Sequence, residues 1–432
     1  MTYFNNIEQE ARRLAEWLDL AKEQGADTSA LEAKILGFIA EAKEKAKRLQ
    51  PTSDFKYIEP DELEEIRALR NKSARILPLS LTDDELYDRI LGAWLGRCAG
   101  CVLGAPVEGR DREFIKAWAH KLGQRYPLDD YWMDYPGIPR NHYTDPIDCF
   151  VKRGMDHVGS DDDLAYTVLG LLILEDYGID FTTEDVGAAW LKYLPMACTA
   201  EEVALENLKK DVLPAEAAEI DNPFIEWIGA DIRSDPWGYA APGLPELAAQ
   251  MAYKDAYLSH RRNGVYGAMF FSAVIAAALT VSDMRRAVEI GAAEIPNTSR
   301  LYESIVETVE WVDKDKDWER TCGRIYEKYR GMSICHTFNN TAITVSALLY
   351  SDGDFERAIT LAVMGGIDTD CNGATAGSIL GAAVGSKNIP KKWIEPFNDR
   401  LTTYLINSGE HRITDLARRT WEIAKKCRAR FG

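Results

Sequence analysis

The chain has 432 residues, 46% hydrophobic and 28% charged, a composition typical of globular proteins, and is long enough to bury a large core. Its 69 acidic residues outnumber 51 basic ones, and the net charge of -18 excludes non-specific binding to nucleic acid, whose phosphates would be repelled. Residues 1–6 carry neither a basic nor an apolar leader, and apolar runs such as Met269 to Thr280 are shorter than a bilayer requires, so a soluble, cytoplasmic protein with no membrane partner is expected.

In chain order, Ile7, Ala11, Leu14, Leu18 and Ala21 recur at helical spacing. Gln24-Gly25-Ala26 breaks the stripe, and Asp27 or Thr28 stands where a second helix would be capped. Leu31, Ile35, Phe38, Ala42 and Leu49 make a second stripe. Residues 1–50 thus read as an antiparallel helical hairpin. Two helices alone bury little, so the hairpin is expected to dock on the main body or on another copy of the chain as a homo-oligomer. Residues 51–84 read as a connecting segment and 85–432 as the main helical domain.

From Thr82, a candidate cap, the pattern is helix after helix. Leu86, Ile90, Ala93, Trp94, Arg97, Cys98 and Cys101 mark the first. Leu164 to Leu174, Tyr266 to Leu279 and Thr341 to Tyr350 are apolar nearly all round, as buried central helices are. Thr360 to Met364 and Ala374 to Val384 complete the series, and neither a β-α-β rhythm nor a phosphate-binding glycine loop interrupts it. An all-α fold is expected. The eight cysteines are scattered, and Cys98-Ala-Gly-Cys101 has no second pair at zinc-ribbon spacing, so both are read as small buried residues.

Two acidic knots carry the chemistry. Gly159-Ser160-Asp161-Asp162-Asp163 lies directly before an apolar helix; Gly365-Gly366-Ile367-Asp368-Thr369-Asp370-Cys371 lies before a small-residue run. Each could merely cap its helix. One Asp suffices for that, however, and three adjacent carboxylates repel unless a cation or open solvent separates them. Two knots at two helix starts point to a hard-cation centre built from distant parts of the chain. Thr144-Asp145 has no capped apolar helix after it and is set aside. The aromatic and glycine-rich stretch 222–243, with Trp227 and Gly229, suits either a cleft wall that stacks on a base or a ribose or a loop packing its own rings. His260, His336, Asn339 and Asn340, all before buried helices, are candidate ligand contacts or simple caps.

Three segments in order, covering roughly residues 85 to 430, resemble the ADP-ribosylglycohydrolase family, also called the dinitrogenase-reductase-activating glycohydrolase or ADP-ribosylhydrolase family. The run Ile90 to Gly109 is similar to the family's glycine-spaced helix ending in Gly-x-Pro-x-Glu, here Gly104-Ala105-Pro106-Val107-Glu108. Ser160-Asp161-Asp162-Asp163 resembles its Thr-Asp-Asp-Thr, and Gly366-Ile367-Asp368-Thr369-Asp370-Cys371 its Gly-Asp-Thr-Asp-Thr. The resemblance implies an all-α fold whose cleft holds two Mg²⁺ ions, with Mn²⁺ a possible substitute, against the distal ribose of an ADP-ribosyl group. By position, it implies metal ligation by Ser160, Asp161, Asp162, Asp368 and Asp370, and a place near the ribose for Glu108. Glu108, Asp161 and Asp162 are the candidates for acid-base catalysis. Ser160, which keeps a hydroxyl, Asp163 and Cys371 replace threonines; a thiol suits a hard cation poorly, so either one ion is held less firmly, a water fills the gap, or Asp163 compensates. These departures leave open two alternatives on the same fold: hydrolysis of another nucleoside or small glycoside, and a non-catalytic ADP-ribose-binding protein.

Overall fold

The computed structural model describes residues 6–137 and 141–432; residues 1–5, on which the absence of a leader was read, lie outside them. Its contacts divide the chain into two units, one running to Tyr57 together with Arg330–Ser333, the other Ile58–Tyr329 with Ile334–Gly432.

In the first unit, helices Asn6–Glu23 and Ser29–Lys47 follow the two apolar stripes. Asp27 accepts the Ser29 amide at 3.0 Å, while the Thr28 hydroxyl donates to Glu32 at 2.8 Å. Lys22 pairs with Glu32 at 2.7 Å between the two helices. Leu18, Ala21 and Ile35 are half-buried. Trp17 and Phe38 remain 68% and 71% exposed, so much of the apolar surface stays open.

The second unit starts with a clasp. Arg70 and Arg75 both reach the wholly buried Glu294, Arg70 also meets Glu246 at 2.7 Å, and Arg300 pairs with Glu59 at 2.7 Å. These bonds hold the segment beyond Ile58 that separates the hairpin from the helical core. The first long helix, Asp83–Gly104, begins with a full capping box: Thr82 accepts the Glu85 amide and Glu85 accepts the Thr82 amide. By length and composition, the stretch 83–107 could cross a membrane, which corrects the expectation that no run is long enough; here it is mostly buried inside the protein. Asp162–Tyr177, Asn263–Ala278, Thr337–Tyr350, Phe355–Met364 and Thr369–Val384 build the rest of the core, and every residue of Asn263–Ala278 is buried. Two short antiparallel hairpins, Asn141–His142 with Asp145–Pro146 and Arg400–Thr402 with Glu410–Arg412, are the strand pairs among the described residues.

Helices Asp83–Gly104 and Thr369–Val384 pack backbone on backbone. Glycines recur every fourth residue on both, and the pairs are antiparallel: Gly92 faces Gly381, Gly96 faces Gly377, Gly100 faces Gly373, and Gly104 faces Thr369. A Cβ at any of Gly92, Gly96, Gly100 or Gly104 would overlap a carbonyl of the partner helix. Both neighbours are rigid backbone, so neither can yield. Gly96→Ala is therefore expected to lower stability by about 1–3 kcal/mol, read as a reduced urea midpoint. Gly323→Ala, where an added Cβ meets nothing within 4 Å, should instead gain about 0.5–1 kcal/mol from helix propensity.

Candidate metal and active centre

The glycine seam fixes where the second knot sits. Because the two helices run antiparallel, the C-terminal end of Asp83–Gly104 meets the N-terminal end of Thr369–Val384, and the Thr369 hydroxyl donates to the Gly104 carbonyl at 2.8 Å. A 3₁₀ turn, Ala105–Val107, then delivers Glu108. The loops after and before these ends pair as well: Gly109 N–H donates to Ile367 O and Ile367 N–H to Arg110 O, both at 2.8 Å. Gly366 and Ile367 take left-handed φ of +77° and +61°, which turns the chain sharply into Asp368.

The first knot is held from the side. Val158 bonds Arg400 O at 2.9 Å and receives the Thr402 amide at 3.0 Å. Asp145, set aside on sequence, accepts the Ser160 amide at 2.7 Å and the Thr402 hydroxyl at 2.8 Å. Asp161 is the N-cap of Asp162–Tyr177, and its Oδ1 accepts the Asp163 amide at 2.9 Å. Asp163 Oδ1 receives Arg97, a wholly buried guanidinium at 2.9 Å that also pairs with Asp235 at 2.8 Å and donates to Thr167 at 2.7 Å.

The two knots meet. One ligand atom from each of Glu108, His142 and Asp370 lies within 4.8 Å of the others, and the same holds for Asp163, Asp370 and Cys371, and for Asp161, Asp162 and Asp163. Asp368 joins through its neighbours, since the thiols of Cys371 and Cys335 and the Asp370 side chain all bond to it. Burial pushes the carboxyls of Asp162, Asp163, Asp368 and Asp370 up. For Asp162 the repulsion of Asp161 comes next, and for Asp370 that of Glu108; Arg97 works against the shift at Asp163. Ser160 Oγ, Asp163 Oδ2 and Asp370 Oδ1 are buried with no hydrogen-bond partner. Buried oxygens without donors, in a cluster too acidic to hold all its charges, fit a bound divalent cation. Asp163 thus serves two sides at once, one oxygen on Arg97 and the other open to the centre.

Hairpin Asn141–Pro146 supplies residues that sequence reading missed. His142 Nε2 lies 2.7 Å from Asp161 Oδ2, and the Tyr143 phenol bonds Asp162 and stacks on Tyr404 at 5.2 Å. Burial, then the carboxylates of Asp162 and Asp161, push the Tyr143 phenol far up, so it remains a donor. Nothing local in the sequence marks these two residues; the nearest signal is Arg97, a charge within the apolar C-terminal half of helix Asp83–Gly104.

The stretch with Trp227 forms a neighbouring wall. Ile228 N–H donates to Cys335 O at 2.8 Å, and Trp227 bridges to His336. Asn340 donates to Ile334 O at 2.7 Å and His336 O at 2.9 Å, and accepts from Asn372 at 2.8 Å, which ties this wall to the second-knot helix. Trp227 is half-buried against Phe224, with ring centroids 4.7 Å apart. Asn339 is buried and accepts the Asn340 amide at 3.0 Å. The structure does not bring Gly229 or His260 to the acidic centre. Gly229 is buried, and a Cβ there would strike the Glu201 carboxylate, which pairs with Arg233 at 2.6 Å. His260, with no exposed surface, bonds the Ser259 hydroxyl at 2.8 Å beside Arg233 and Arg261. Cys98 and Cys101 are buried free thiols, as expected.

The sequence model of the ADP-ribosylglycohydrolase family matches residues 82–430. The chain belongs to that family. Membership makes it a hydrolase of glycosidic bonds, with the all-α fold that the sequence implied. A solved structure described as an ADP-ribosylglycohydrolase-related protein complex shares the fold, with a TM-score of 0.51 at 21% identity over 80% of this chain and 99% of that one. No curated protein matches.

Removing Arg97 would leave Asp163 and Asp235 facing each other without their counter-charge in a buried setting. Arg97→Met is expected to cost on the order of 3–5 kcal/mol, measured by urea unfolding.

Proposed function

We propose that this hydrolase cleaves, with water, the C1″ glycosidic bond of an ADP-ribosyl unit, and that it does so with divalent cations: two Mg²⁺ ions, or Mn²⁺ in their place. Ser160, Asp161, Asp162, Asp368 and Asp370 are the ligands in this reading, with Asp163 alongside. The observation that carries it is the set of buried, donorless oxygens on Ser160 and Asp163 of the first knot and Asp370 of the second.

When bound, the cations supply Lewis-acid polarisation of the ribose hydroxyls. The chain's own residues do the rest. Bond cleavage builds positive charge on the ribose ring, and a cluster of carboxylates in a low-dielectric site stabilises that charge. Glu108 is the exposed member of its triad with His142 and Asp370, so water reaches it, and it is proposed as the base that takes the proton of the attacking water. Asp161 and Asp162 are the other candidates for proton transfer; His142 Nε2 and the Tyr143 phenol lie against them. Trp227, half-exposed beside Cys335, offers a ring face to the base or the ribose. Cys371 is proposed to lie beside the cations as a donor to Asp368, since burial and the surrounding carboxylates keep its thiol protonated.

Turnover of ADP-ribosyl arginine, ADP-ribosyl serine and free nucleosides, with Mg²⁺ and after chelation, tests the reading. Cleavage of an ADP-ribosyl substrate that chelation abolishes is expected. Asp370→Asn should weaken metal binding by about 10- to 100-fold and lower turnover with it. Cleavage of nucleosides alone, or turnover indifferent to chelation, would refute it.

The hairpin of residues 1–50 is proposed to serve assembly with a second copy of the chain, because its open apolar surface includes Trp17 and Phe38. Deleting residues 1–50 should reduce the particle mass seen by light scattering and leave metal affinity near that of the full chain.

A further inference from the structure

The proposed centre carries a donor that a site made only of oxygens lacks. His142 contributes a ring nitrogen that lies within 4.8 Å of ligand atoms on Glu108 and Asp370. The ring is held firmly. Its side chain is 10% exposed, packs edge-on against Phe150 at 4.7 Å, and sits on a hairpin whose Asp145 is anchored to Ser160 and Thr402. Asp370, whose Oδ1 is buried and without a partner, belongs to the same triad. The Nε2 atom lies 2.7 Å from Asp161 Oδ2. A hydrogen bond accounts for that approach, and two ligands on one ion stand at a similar spacing.

Resting on the metal reading above, we infer that His142 is a nitrogen ligand of the cation held by Asp370, beside Glu108, so that the centre prefers first-row transition ions, Mn²⁺ included, over Mg²⁺. Imidazole binds the first-row divalent ions, Mn²⁺ least strongly among them, whereas Mg²⁺ takes oxygen ligands in strict octahedral geometry and keeps its waters. The competing role for His142 is to orient Asp161 by a hydrogen bond without touching an ion.

Full-length protein, stripped by chelation and loaded with Mn²⁺, decides between them by pulsed electron paramagnetic resonance. The bound Mn²⁺ is expected to show coupling to a ¹⁴N nucleus, and His142→Gln should lose that coupling. Competition titration should show that His142→Gln, and independently His142→Asn, reduce the preference for Mn²⁺ over Mg²⁺ by about 10- to 100-fold. Bound Mn²⁺ without nitrogen coupling in the unaltered protein overturns the inference and leaves the metal reading intact, and this spectrum decides even where the variants fold poorly. An unchanged metal preference in both folded variants overturns it too. Failure to bind Mn²⁺ or Mg²⁺ at all would sink the metal reading itself.

Discussion

The contact on which the structure depends is the glycine seam between Asp83–Gly104 and Thr369–Val384. Each glycine in a helix interior costs about 1 kcal/mol relative to alanine, so a repeat of them on both helices is a standing expense of stability. It is offset by an approach too close for any side chain, in which peptide groups of the two helices touch directly. The consequence lies at the ends. The antiparallel arrangement puts Gly104 against Thr369, and the Thr369 hydroxyl locks that end by bonding the Gly104 carbonyl. Glu108 and Asp370, far apart in sequence, become neighbours because two backbones cannot slide past each other without clashing.

That rigid frame gathers more negative charge than its surroundings can neutralise. Arg97 is the permanent counter-charge, placed behind the centre where it holds Asp163 and Asp235. Among the described residues no Arg or Lys is paired with Asp162, Asp368 or Asp370, which are pushed toward the protonated form chiefly by burial. Such a centre accepts positive charge readily, either as bound cations or as the charge that develops on a ribose during glycosidic cleavage. The overall surplus of acidic residues repels long polyanions, whereas a short anionic ligand can be tolerated if cations sit between it and the carboxylates.

The parts legible in the sequence are those with local causes. Helix starts show as Thr82, Asp161 and Asp368 before apolar or small-residue runs, and the close helix pair shows as glycines at four-residue spacing. Residues brought in by long-range pairing are not legible in this way. Asp145 was passed over because no helix follows it, yet it steadies Ser160 by joining strands near 145, 158 and 402. His142 and Tyr143 reach the acids only because that hairpin folds over the first knot. Gly229 and His260 fail in the opposite direction: residue types common in ligand sites serve here to bury the Arg233 ion pairs with Glu201 and Asp255.

The departures from the family pattern become intelligible at the same place. Cys371 stands in the first turn of Thr369–Val384, where its thiol donates to Asp368, and Cys335 donates to the same carboxylate from the wall that carries Trp227. Asp368 is therefore oriented from both sides by neutral donors, a task a thiol performs adequately even though it ligates a hard cation poorly. Asp163, the other departure, adds a carboxylate where threonine would offer a hydroxyl, and Arg97 offsets part of that charge. One substitution puts a thiol at the second knot and the other puts an open carboxylate oxygen at the first, and Asp370 lies within reach of both.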